Sequence, residues 1–138
     1  MAQRLYVDTG IWLALLDKAD PLHARARSLI DAHRTLAFIS TDLVLSETIT
    51  LLRRELGPEI AASFGRDFMD GKIGQLVRCE PSDWAVGFDI IERFRDQKLS
   101  TADATSAAIV RRMDIKKVAS FDKHFQIMLQ DREILGLA

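Results

Sequence analysis

Asp8, Glu47, Asp103 and Asp122 are the side chains of this sequence best suited to chemistry. Carboxylate oxygens are hard donors, and several of them gathered in one place bind Mg²⁺ or Mn²⁺ rather than zinc. Asp8 directly follows the apolar run Leu5-Tyr6-Val7, and Asp122 directly follows the run from Val118 to Phe121. Both are expected where a strand gives way to a helix. Taken singly, each reads first as a helix N-cap, accepting backbone N–H groups. Asp103 closes Ser100-Thr101-Ala102-Asp103, which has the S-x-x-D form of a capping box. Glu47 is different, because it lies inside a helical stretch with Leu43 and Leu51 as its i−4 and i+4 neighbours. That face is expected to be largely buried, and a buried carboxylate needs a cation, a proton or a partner such as Arg54.

If the helix carries Glu47 to the strand ends that hold the aspartates, four anions converge. At about 4 Å and an effective dielectric of about 20, each like-charged pair repels by roughly 4 kcal/mol. Helix N-termini and the hydroxyls of Thr9, Ser46, Ser100 or Thr101 offset part of this. A hard divalent cation removes it.

The elements that must position these residues follow from the hydrophobic pattern. Strands are expected at Leu5 to Val7, Ala37 to Ile39, Leu76 to Val77, Val118 to Phe121 and Ile134 to Leu137. Between them lie amphipathic stretches, the clearest from about Thr41 to Leu56, where Leu45, Ile49, Leu52 and Leu56 form one stripe. Gly57-Pro58 stops that helix and starts another, running to about Asp70. Further helices are expected at Ile11 to Asp17, Leu22 to His33, Ser82 to Gln97, Ala102 to Arg112 and Lys123 to Leu129. Alternating strands and helices predict an α/β fold, with a central, mostly parallel sheet of four to five strands between helical layers. Ligands in such sheets collect beyond the carboxyl ends of the strands, where the strand order reverses. Three of the four acids are expected there.

Composition narrows the class. The 138 residues, 48% of them hydrophobic, are read as one domain spanning 1–138. With 19 basic and 20 acidic residues the net charge is −1, so no general positive field favours nucleic acid or an anionic membrane, and any RNA contact must be local. The single cysteine, Cys79, forms neither an internal disulfide nor a zinc site, which favours a reducing cytoplasm. The apolar run Ile11 to Leu16 is far shorter than the roughly 20 residues of a membrane span, so the chain is read as soluble and unprocessed.

Four short motifs occur in order on these elements: Val7-Asp8-Thr9-Gly10, Ser46-Glu47-Thr48, Leu99-Ser100-Thr101-Ala102-Asp103-Ala104, and Ser120-Phe121-Asp122-Lys123-His124-Phe125. Together they resemble the successive motifs of PIN domains, and within that family the VapC-type toxins of toxin–antitoxin pairs. The resemblance implies a three-layer α/β/α fold and a Mg²⁺- or Mn²⁺-dependent endoribonuclease. It also implies a homodimer held inactive by an antitoxin. Asp8, Glu47 and Asp103 match the three metal-holding acids of the family, Asp122 its more variable fourth acid, and Ser100 a hydroxyl three places before the third acid. Gly10 stands where many members carry serine or threonine, so a hydroxyl there would have to come from Thr9.

For phosphate contacts the sequence offers His23, Arg25, Arg27, Arg53, Arg54, Arg111, Arg112, Lys116, Lys117 and Lys123, of which Lys123, beside Asp122, is the best placed. Trp12, Leu15, Leu16, Phe64, Phe68 and Met69 are either core or a partner surface. Two other classes fit less well. A phosphoacceptor signalling domain would want a further early acid pair, and a haloacid-dehalogenase-like phosphatase an aspartate at Gly10. A catalytically silent PIN-fold binding protein is the remaining alternative, and metal binding separates it from a nuclease.

Overall fold

The structure is a computed structural model that describes residues 3–137. Five strands, β1 (Arg4–Val7), β2 (Ala37–Thr41), β3 (Gln75–Val77), β4 (Lys117–Ala119) and β5 (Glu133–Leu135), form one sheet in the order β3-β2-β1-β4-β5, and every pairing is parallel. Successive side chains point to opposite faces and helices cover both, so the strand centres are apolar on consecutive positions. On β1, Leu5 and Val7 enter one core while Tyr6 enters the other, and all three are fully buried.

The first layer holds α1 (Thr9–Leu16), α2 (His23–Ala32), α3 (Asp42–Leu56) and α4 (Pro58–Met69), which supply most of the core shared with Leu5 and Val7. Trp12 is its centre, with ring centroids 6.2, 5.8 and 5.7 Å from Phe38, Phe64 and Phe68. Burying a large apolar side chain of this kind stabilises the fold by about 1.5–3 kcal/mol. The indole N–H is also satisfied, donating to Ser40 Oγ at 2.9 Å. Trp12, Phe64 and Phe68 are therefore core, whereas Met69 is exposed.

The second layer holds α5 (Pro81–Arg93), α6 (Thr101–Arg112) and α7 (His124–Met128), packed over Tyr6, Ile39 and Val118. The α5–α6 contact is close because Gly87 lacks a side chain; a Cβ there would meet Thr105 Cγ2 at 3.1 Å. Asp83 on α5 binds Arg112 on α6 through two hydrogen bonds of 2.8 and 2.9 Å.

Local signals set the ends of these helices. The Thr41 hydroxyl accepts the Val44 N–H at 3.1 Å to start α3. Gly57, at φ 97°, ends α3 in a conformation that disfavours a Cβ, and Pro58 opens α4. Several boundaries depart from expectation. β4 stops at Ala119, so Ser120 and Phe121 separate Asp122 from its strand. α5 ends at Arg93 rather than near Gln97, because Phe94 leaves helical geometry and packs against the second core. No helix among the described residues is long and apolar enough to cross a membrane.

The topology decides where the site lies. The chain moves outward from β1 through β2 to β3, returns to lay β4 on the other side of β1, and continues to β5. The direction of travel thus reverses between β1 and β4. Asp8 leaves the end of β1 and Asp122 follows β4, at the crevice this reversal opens.

Candidate active site

An open cleft of about 450 Å³ beyond the carboxyl ends of β1 and β4 is lined by Asp8, Glu47, Asp103 and Asp122. Residues 114 positions apart in the chain therefore share one space, together with Thr9, Ser100, Lys98 and His124. Each carboxylate arrives on a different element and has a different local partner.

Asp8 occupies the N-cap position of α1, yet its side chain makes no capping hydrogen bond. Instead its Oδ2 accepts the Ser120 hydroxyl at 2.9 Å. Asp8 is only 8% exposed. Burial, and then the charges of Asp103 and Asp122, outweigh the hydrogen bonds from Ser120 and the Thr9 N–H and push its carboxyl up to about 7.

Asp103 does form the capping box: Ser100 Oγ accepts the Asp103 N–H at 3.0 Å, and Asp103 Oδ2 accepts the Ser100 N–H at 3.2 Å. The box also aims the carboxylate into the cleft. Its pKa is raised, by burial first and by Asp122, against the opposing Ser100 N–H and hydroxyl and the His124 ring. Asp122 is held from both sides of its own loop. Its N–H donates to Ser120 Oγ at 2.9 Å, and its Oδ1 accepts the His124 N–H at 2.9 Å.

Glu47 lines the cleft but is not on the buried face of its helix. Val44, Leu45, Thr48 and Leu52 form that face, Leu43 and Leu51 are half-buried, and Glu47 is exposed. The expectation of a buried glutamate is therefore corrected: Glu47 stands at the cleft rim. Its carboxyl is nonetheless raised, first by partial desolvation and then by Asp103 and Asp122. Arg54 pairs with Glu55 at 3.4 Å rather than with Glu47.

The Thr9 hydroxyl faces α3, 3.4 Å from the Val44 carbonyl oxygen and 3.3 Å from Thr48 Oγ1. Of the suggested cations, Arg27 and Arg54 hold acidic neighbours on their own helices, and Arg111, Arg112 and Lys116 hold Asp131, Asp83 and Asp114. Arg25 lies over the Phe121 ring at 5.5 Å. Lys123 is exposed at the start of α7, outside the residues that line the cleft, whereas Lys98 lines it.

A family model of the PIN domain matches residues 5–128. The chain belongs to the PIN-domain family. The 23S rRNA-specific endonuclease VapC20 of Mycobacterium tuberculosis is 29% identical over 124 residues, covering 88% of this chain and 91% of that protein. Ribonuclease VapC26 of the same organism is 24% identical over 125 residues, covering 90% and 91%. The crystal structure of VapC20, described as a sarcin-ricin loop cleaving toxin, matches this PIN domain with a TM-score of 0.81 at 26% identity, covering 89% of this chain and 93% of that one.

Two residues at the site of this PIN domain carry weak sequence signals: Ser120, fully buried beside the cleft, and His124, which lines it. Ser120 joins Asp8 to the Asp122 loop, and a single serine after a strand has no signature of its own. His124 lies with its Nδ1 3.2 Å from Asp122 Oδ1 and 3.6 Å from Asp103 Oδ2. That nitrogen is buried and is the one buried side-chain polar atom among the described residues without a hydrogen bond. Its separation from Asp122 is short enough for one, but the angles are not. A cleft in which burial and neighbouring charge raise the carboxyls of Asp8, Glu47 and Asp103, with a buried nitrogen lacking a partner beside them, fits a divalent cation.

Proposed function

We propose that this PIN domain is a divalent-metal-dependent endoribonuclease that hydrolyses RNA phosphodiester bonds and is the toxin of a type II toxin–antitoxin pair, acting in the cytoplasm. The observation that carries the reading is the convergence of Asp8, Glu47, Asp103 and Asp122 on one cleft at the strand-order reversal. Its similarity to a 23S rRNA-specific endonuclease and to a ribonuclease supports RNA as the substrate.

Asp8 and Asp103 are the residues proposed to hold the cation, Mg²⁺ or Mn²⁺, with Asp122 completing the set. When bound, the ion supplies Lewis acidity toward a phosphate oxygen and makes water a better nucleophile at neutral pH. Glu47, at the cleft rim, would be positioned to accept a proton from an attacking water. The Ser120 hydroxyl and the Ser100 backbone N–H orient the Asp8 and Asp103 carboxylates by direct hydrogen bonds. Lys98 stands at the cleft for a substrate phosphate.

The toxin role brings two protein partners, an antitoxin and a second copy of the chain. Met69 on α4 and Val86 and Phe88 on α5 are exposed apolar side chains suited to such contacts. The test is cleavage of ribosomal RNA by purified chain. Cleavage is expected with Mg²⁺ or Mn²⁺, and its loss with a chelator or in a folded Asp8→Asn variant. Unchanged cleavage by that variant would remove the proposed site.

A further inference from the structure

We propose that His124 binds the metal directly through Nδ1, so that Asp103, Asp122 and His124 form a mixed nitrogen–oxygen corner that prefers Mn²⁺ to Mg²⁺. The inference rests on the nuclease reading above and specifies the ion at that site.

Three observations carry it. The ligand atoms of Asp103, Asp122 and His124 all lie within 4.8 Å of one another. An octahedral ion with bonds of about 2.1 Å places adjacent ligand atoms about 3.0 Å apart. The 3.2 and 3.6 Å separations from His124 Nδ1 to the two carboxylates are close to that spacing already. The main chain at His124 is also fixed, because its backbone N–H donates to the Asp122 carboxylate that Nδ1 approaches. Finally, Nδ1 is buried without a hydrogen bond, although a carboxylate oxygen is near, as expected of a nitrogen whose lone pair is aimed at a third body between them.

The other histidines have ordinary partners: His23 Nδ1 lies 2.8 Å from the Ala14 carbonyl oxygen, and His33 Nδ1 2.7 Å from that of Leu29. Magnesium strongly prefers oxygen, whereas a first-row transition ion gains from an imidazole nitrogen. The nitrogen therefore discriminates between two ions that a purely oxygen site would treat more alike.

Pulsed electron paramagnetic resonance of Mn²⁺ bound to the tag-free full chain tests this without measuring activity. Wild type is expected to show a directly coordinated ¹⁴N that His124→Gln lacks. The same variant should lose about tenfold or more in Mn²⁺ affinity by calorimetry, with Mg²⁺ affinity changed less than about threefold. The wild-type spectrum decides the matter even if the variant folds poorly. Mn²⁺ bound through oxygen alone would overturn the role of His124 and leave the nuclease reading standing. A wild-type chain that binds neither ion would overturn both.

Discussion

Ser120 Oγ donates a 2.9 Å hydrogen bond to Asp8 Oδ2, joining a side chain that follows β4 to one that follows β1 across the strand-order reversal. The same oxygen accepts the Asp122 N–H at 2.9 Å, so one fully buried hydroxyl sets both the Asp8 rotamer and the Asp122 loop. Ser120→Ala leaves a carboxyl oxygen and an N–H without this partner. It is expected to destabilise the chain by about 1–3 kcal/mol in chemical denaturation, and to weaken Mn²⁺ binding at the same time.

Asp8 works against stability when no cation is present. Its folded-state pKa of about 7 lies above the ordinary 3.8, so the folded state holds the proton more tightly. The stability linked to that proton is fully present below about pH 4 and is lost as pH rises through 7. Asp8→Asn removes this dependence. In chelator, the variant is expected to gain on wild type as pH rises, by up to about 4 kcal/mol near pH 7–8; without chelator it is expected to bind Mn²⁺ more weakly than wild type. Denaturation curves at pH 4 and pH 8 check it, and equal stability differences at the two values would contradict the account.

Lys98 lines the cleft and makes no ion pair among the described residues. In an Asp8→Asn background that keeps RNA intact, Lys98→Ala is expected to weaken RNA binding and to lower the slope of log affinity against log salt by about 1. Lys123→Ala, outside the cleft wall, should change the slope less. A larger effect at Lys123 would move the phosphate path toward α7.

What the sequence disclosed follows the range of the interactions. Asp8 and the Ser100 to Asp103 box are local signals, a polar residue after an apolar run and a four-residue cap, and the structure contains both. The all-parallel sheet follows from alternating short and long apolar periods. Glu47 is harder to place, because its neighbours Leu43 and Leu51 are only half-buried, Leu51 in the cleft wall, whereas Leu45 and Leu52 belong to the core; composition alone does not separate the two faces. Ser120 and His124 stand in the fourth motif of the sequence, but their pairing with Asp8 and Asp103 arises only when β1 and β4 become neighbours and the five-residue α7 begins beside Asp103. No local pattern encodes that meeting.

Asp83 and Arg112, 29 positions apart, show the same limit. Arg112 is available to a phosphate in the sequence, but in the fold both its bonds go to Asp83, which is 3% exposed. Burial raises the Asp83 carboxyl, and the Arg112 hydrogen bonds, the Glu80 N–H and the Arg112 charge outweigh it and hold it below the ordinary value. Because Arg112 is partly open to water, Asp83→Ala is expected to cost about 2 kcal/mol, including the lost α5 cap, rather than the larger penalty of a fully buried pair. Thermal or denaturant unfolding measures this, and Mn²⁺ affinity should stay unchanged.

The most direct test is anomalous scattering from crystals of the chain grown with Mn²⁺. A peak is expected in the cleft beyond β1 and β4, within coordination distance of the Asp8 and Asp103 carboxylates. Saturating Mn²⁺ with no peak in that cleft would contradict the account.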